Sequence, residues 1–178
     1  RLRDTSSFEV AEYLSTRAAF RSPPFSVSRF VLFSSRASVG GGPYVVEAMN
    51  KIAGKNGVGR IDHIEDRLVG IKSREVYECP AATVILEAHK DLEKMVMTRH
   101  EVLFKQQIDA QWVFLAYAGL WVDPLKDDLD AFINRSQENV TGEVKLKLYK
   151  GSLQVIGRSS PMSLYDKNLA NYNIKTTF

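Results

Sequence analysis

Only one cysteine, Cys79, occurs in 178 residues, so no disulfide can form within the chain, and the composition fits a reducing compartment. Long apolar runs are also missing. The densest, Trp112 to Val122, is broken by Gly119 and falls well short of the roughly 20 residues that cross a bilayer, so no membrane span is expected. Charge of one sign is scarce too. The net charge of +3 is the small excess of 24 basic over 21 acidic residues, so even with a pI near 9.0 no nucleic-acid face is expected. Motifs of several enzyme classes are absent. The chain contains no GxxxxGK[ST] loop, no CxxC and no HExxH, and His63, His89 and His100 lack a metal-ligand spacing, so no metal centre is expected.

What is present divides into two parts. Residues 1–39 carry six arginines and no lysine, nine serines and five phenylalanines, with no acidic residue between Glu12 and Glu47. An organellar transit peptide has that character, and so does an unrelated extension. Gly40, Gly41, Gly42 and Pro43 mark a boundary, so the expected organisation is an Arg/Ser-rich extension over 1–39 and one main domain over 40–178.

Past that boundary the periodicities are clear. Pro43 suits the first turn of a helix bearing Val45, Val46, Met49 and Ile52, with Gly54 and Gly57 ending it. The runs Arg60 to Ile64 and Arg67 to Ile71 read as two strands around a turn. Helical spacing follows from Pro80 through Met95, from about Glu101 to Leu120, and again after Pro124. Val144, Leu146 and Leu148 alternate with charged residues, and Leu153 and Val155 resume the apolar face after Lys150 and Gly151. That is a hairpin with one wet side. Lys145, Lys147 and Lys150 read as guards on an edge strand. Strands and helices come in blocks, so the expected class is α+β, antiparallel strands packed with several helices in one main domain. Cys79 is expected as a small buried thiol.

One polar cluster could carry chemistry: Asp62, Glu65, Asp66 and Arg67, then Lys72 through Glu75, Tyr77 and Glu78. A solvated hairpin with offsetting cross-strand charges accounts for it. So does a surface that binds a zwitterion, with a carboxylate for an ammonium group and a tyrosine hydroxyl for a polar end.

The order GVGRID, E-x-R-x-x-G-x-K-S-R and Y-E-x-P across Gly57 to Pro80 resembles argininosuccinate synthase, with its bacterial forms nearest. AHKDLE at Ala88, GLW-x-x-P at Gly119, VTGEVKLKLYKGS and GRSSPMSLYD continue the likeness from about Pro43 to Phe178. The resemblance implies the carboxy-terminal half of an ATP-dependent, AMP-forming carbon–nitrogen ligase of arginine biosynthesis and the urea cycle. In that family ATP, with Mg, activates the ureido oxygen of citrulline as an adenylate and pyrophosphate leaves. The aspartate amine then attacks the ureido carbon, AMP departs and argininosuccinate forms. A ureido carbon is a poor electrophile until its oxygen becomes a good leaving group, so catalysis rests on positioning and on charge stabilisation near phosphate.

Two citrulline-binding positions of the family match Glu65 and Tyr77. The resemblance further implies a cytoplasmic homotetramer with citrulline, aspartate and ATP as partners, and neither nucleic acid nor membrane. Two departures bear on the local backbone: Glu75 and the Ala81–Ala82 pair stand where the family often has glycine. The family's S-G-G-x-D-T loop for ATP is absent from these 178 residues, and its carboxy-terminal arm is expected to be cut off at Phe178. No catalytic residue is assigned and no cofactor is expected on this part alone. The competing expectation is a non-catalytic oligomerisation module of the same descent.

Overall fold

A computed structural model describes residues 10–13, 28–34 and 42–170, with side chains from Val45 onward. Most of the Arg/Ser-rich extension, and the expected truncated arm at Phe178, lie outside the described residues. In chain order the elements are β1 (Val10–Tyr13), β2 (Ser28–Ser34), α1 (Gly42–Lys55), β3 (Arg60–Asp66), β4 (Lys72–Glu78), α2 (Pro80–Val96), α3 (Arg99–Tyr117), α4 (Pro124–Ser136), β5 (Gly142–Tyr149) and β6 (Ser152–Ser159).

Two antiparallel sheets form, one ordered β1-β2-β5-β6 and the other the isolated β3–β4 hairpin. The fold is α+β, as the block order of its elements implies. Val144, Leu146 and Leu148 point from β5 into the core and are fully buried. Met49 and Ala53 of α1, with Val84, Ala88 and Leu92 of α2, cover that face, and Leu153 and Val155 of β6 pack at its margin. Helices on one face of an antiparallel sheet leave the other face wet, which is where Lys145 stands.

Hydrogen bonding fixes the helix ends. Cys79 precedes α2 without a side-chain cap, and Oδ1 of Asn50 on α1 instead accepts from the Ala81 amide at 2.9 Å. A capping box starts α3: Thr98 Oγ1 accepts from the Glu101 amide at 3.2 Å, and the Glu101 carboxylate accepts from the Thr98 amide at 2.8 Å. At its other end Gly119, with φ 74°, closes a Schellman turn in which the Leu120 amide reaches the Leu115 carbonyl at 2.9 Å. Trp112 Nε1 donates to Asp130 at 2.7 Å, and Phe104 meets Phe132 edge to face at 5.2 Å, so α3 and α4 form a pair.

Three expectations need correction. The second strand of the small hairpin is Lys72–Glu78, and Arg67 to Ile71 is the connecting turn. Gly70 takes φ 83° there, and the Arg67 amide bonds to the Ile71 carbonyl at 2.9 Å. Leu68, Val69 and Ile71 are all exposed, so aliphatic composition alone misplaced the strand. The lysine row does not guard an edge, because β5 is paired on both sides, to β2 and to β6. Cys79 is half-buried, not buried, with Sγ 3.8 Å from Thr83 Oγ1. The strands β1 and β2 lie before Pro43, where no element is expected from the sequence.

Candidate functional site

The β3–β4 hairpin stands apart from the main sheet, and its base is tightly set. Gly59 has φ 94°, and its carbonyl accepts from the Cys79 amide at 2.8 Å. A Cβ on Gly59 would lie 2.4 Å from Pro80 Cα, so only glycine lets the strand leave the loop this close to the start of α2.

Register then sorts the side chains. Ile61 lies opposite Tyr77, His63 opposite Glu75, and Glu65 opposite Ser73. Alternation puts those six on one face, whereas Asp62, Asp66, Lys72 and Arg74 share the other. On that second face Arg74 Nε donates to Asp62 at 2.8 Å, and Lys72 pairs with Asp66. These exposed pairs are the offsetting charges of a solvated strand pair.

The first face is different. Tyr77 Oη donates to Glu65 Oε2, so the two residues singled out from the sequence meet directly. Arg67 lies 3.1 Å from Glu65 Oε1, donates to Ser73 Oγ at 2.9 Å, and also pairs with Glu75. His63 Nε2 is 3.7 Å from Glu65 Oε2, and its ring meets the Tyr77 ring edge-on at 5.7 Å. From α3, Tyr117 Oη lies 3.3 Å from Glu65 Oε1 and 3.1 Å from the Asp66 carbonyl oxygen. The Glu65 side chain is only 13% exposed although it belongs to an outlying hairpin.

Its partners set its chemistry. The hydrogen bond from Tyr77 foremost, with the charge of Arg67 and the bond from Tyr117, outweighs burial and holds Glu65 below the usual carboxylate range. The same Glu65 bond pushes the Tyr77 phenol up. Glu65 is therefore a carboxylate and Tyr77 a neutral phenol across a wide range of pH.

A carboxylate has about four acceptor positions. Tyr77, Arg67 and Tyr117 approach three of them, and His63 Nε2, 3.7 Å from Oε2, faces the fourth. Glu65 and Glu75 together carry one more negative charge than Arg67 offsets. That excess can draw a cation to this face. Among the described residues no group of three or more His, Cys, Asp or Glu side chains could hold a metal ion.

Sequence reasoning had placed Glu65, Tyr77 and Arg67 in one cluster, but it read His63 as an ordinary histidine and gave Tyr117 no role. Alternation along β3 puts His63 two residues from Glu65 on the same face, a signal that was legible. Tyr117 lies 52 positions beyond Glu65 on another element, and no local pattern points to it.

Comparison with known proteins bears on the whole segment. A family model described as the arginosuccinate synthase C-terminal domain matches residues 34–178, beginning a few residues before Gly40. The argininosuccinate synthase of Methanosarcina mazei is 58% identical over 136 residues, 76% of this chain and 34% of that protein. That of Methanocaldococcus jannaschii is 55% identical over 131 residues, 74% of this chain and 33% of its own length. The argininosuccinate synthase of Rubrobacter xylanophilus is 54% identical over 134 residues, 75% of this chain and 33% of that protein. The chain thus spans about a third of the length of the curated relatives it matches, and over that third it belongs to the argininosuccinate synthase family.

Proposed function

We propose that this chain supplies the citrulline-binding hairpin of an argininosuccinate synthase, a ligase of arginine biosynthesis. Glu65 takes the α-ammonium of citrulline on its Oε2 side, beside His63, and Tyr77 hydrogen-bonds the substrate and walls the site. The observation that carries this reading is the convergence of Glu65 and Tyr77 on one strand face with one negative charge in excess. An ammonium group would neutralise that excess.

In the intact protein the reaction is the ATP-dependent condensation of citrulline with aspartate, with AMP and pyrophosphate as the other products. Mg accompanies the ATP, and the protein works in the cytoplasm as a homotetramer. No residue of this chain is assigned to ATP, Mg or aspartate. The family's S-G-G-x-D-T loop does not occur in these 178 residues, so the purified chain should not make AMP from citrulline, aspartate and ATP. Robust AMP formation would reject that expectation.

Steady-state kinetics of the intact enzyme test the site. Glu65→Gln and Tyr77→Phe should each raise the citrulline KM, by about tenfold where one charge-assisted hydrogen bond is lost. Unchanged KM values in both would remove the two residues from the citrulline site.

A second reading, a non-catalytic assembly module, draws on Phe114, Trp121 and Val122, large apolar side chains exposed on and just after α3. Sedimentation separates the two, because a stable oligomer that does not bind citrulline favours the module.

A further inference from the structure

We infer that Tyr117 is a positioning residue of this site, fixing the Glu65 carboxylate and the end of β3 from outside the hairpin. The inference deepens the citrulline reading by naming the residue that aims its carboxylate.

The hairpin alone cannot fix Glu65 in space. Tyr77, Arg67, Ser73 and Glu75 all ride on the two strands or their turn, so their bonds move with the hairpin. Two-stranded hairpins are only marginally stable without further packing. Among the described residues Tyr117 is the one side chain from another element that hydrogen-bonds to this pair of strands. Its single hydroxyl proton is shared between Glu65 Oε1 at 3.3 Å and the Asp66 carbonyl at 3.1 Å. One acceptor belongs to the side chain and the other to the backbone, so the bond sets both the rotamer of Glu65 and the position of the strand end.

The Tyr117 side chain is half-exposed, and what holds it is its helix. Tyr117 is the last residue of α3, immediately before the turn closed by Gly119, and Leu115 two residues earlier is buried. Trp112, one turn and a half upstream, is held by Asp130 of α4. The tie therefore refers Glu65 to the α3–α4 pair. It also occupies Oε1 together with Arg67, which leaves Oε2 to Tyr77 and His63. The groups facing the carboxylate are His63, Arg67, Glu75, Tyr77 and Tyr117. Of these only Tyr117 can be altered without disturbing the hairpin's own sequence.

The decisive variant is Tyr117→Phe in the 178-residue chain, which keeps the ring and removes the hydroxyl. Two ligand-free measurements apply: the Glu65 carboxyl titration by carbon NMR, and amide hydrogen exchange across residues 60–78. The inference expects the titration to move to higher pH and hairpin exchange to quicken by roughly three- to tenfold, with exchange in α3 unchanged. If both stay at wild-type values, or if exchange quickens equally throughout the chain, Tyr117 is not a positioning residue. Citrulline added to the wild-type chain forms a separate arm. A response to Tyr117→Phe without any citrulline-induced change at Glu65 or Tyr77 would uphold the tie and count against the citrulline reading.

Discussion

Lys105 of α3 and Glu93 of α2 form a buried ion pair, with Nζ 3.1 Å from Oε1 and each side chain about nine-tenths covered. Gln137, just after α4, donates to the same oxygen at 2.8 Å, and His89 stands 3.3 Å away, so three helices meet at one carboxylate. Asp109 takes another Lys105 proton at 2.6 Å. Burial by itself would push Glu93 up, but the hydrogen bonds from His89 and Lys105 and their charges prevail and hold it down at about 2.

A depressed carboxyl stabilises the fold above its unfolded value and loses that contribution as the pH falls through its folded value. For Glu93 the window runs from about 4.5 down to about 2, and the contribution is about 3 kcal/mol at most. Thermal melts should therefore show a steep acid loss in that window. Replacing Lys105 with methionine should cost about 3 kcal/mol at neutral pH, since it strands a buried carboxylate. The gap from wild type should narrow as Glu93 protonates, and a gap that stays constant with pH would reject the coupling.

Glu65 and Tyr77 share a hydrogen bond, so their substitutions should not act independently. Glu65→Gln combined with Tyr77→Phe should raise the citrulline KM by clearly less than the product of the single effects. Strict multiplicativity would mean that each contacts citrulline on its own.

If Glu65 binds citrulline as proposed, it sets the acid limb of that binding. Its carboxyl is held below the ordinary value of 4.5, chiefly by Tyr77, so the charged form persists into mild acid. Affinity should stay level down to about pH 5 and weaken only below the ordinary glutamate range. Titration calorimetry that finds a loss already near pH 6 would show that Glu65 is not the controlling group.

Gly59 should tolerate no side chain. Gly59→Ala would combine a left-handed backbone with a Cβ 2.4 Å from Pro80 Cα, and Pro80 is backbone at the start of α2 that cannot swing aside. A destabilisation of more than about 2 kcal/mol is expected in urea titrations, along with altered chemical shifts throughout the hairpin. A near-wild-type midpoint would show that the junction can relax.

Leu146 is fully buried in the middle of β5, beneath α1 and α2. Leu146→Ala should cost about 3 kcal/mol through lost burial and the cavity left behind. The Glu65–Tyr77 contact on the outlying hairpin should be unaffected in the folded fraction, which NMR shifts at low temperature can check.

The sequence by itself determined the α+β class, the extents of α1 and α2 and the start of α4 within a few residues, and the β5–β6 hairpin. Each depends on local rules: a proline in a first turn, an apolar period near 3.6, an alternation of two. It also put Glu65 and Tyr77 in one cluster, because both fall in the polar stretch from Asp62 to Glu78. The tertiary structure decided the rest. Strand register placed Lys72 to Glu78, not the more aliphatic Arg67 to Ile71, opposite β3, and so brought Tyr77 and Glu65 to one face. Pairing with β2 made β5 an interior strand. The approach of α3 carried Tyr117 to a carboxylate 52 residues earlier. Such contacts depend on how finished elements pack, and packing is set by burial over the whole chain, which no short window of residues records.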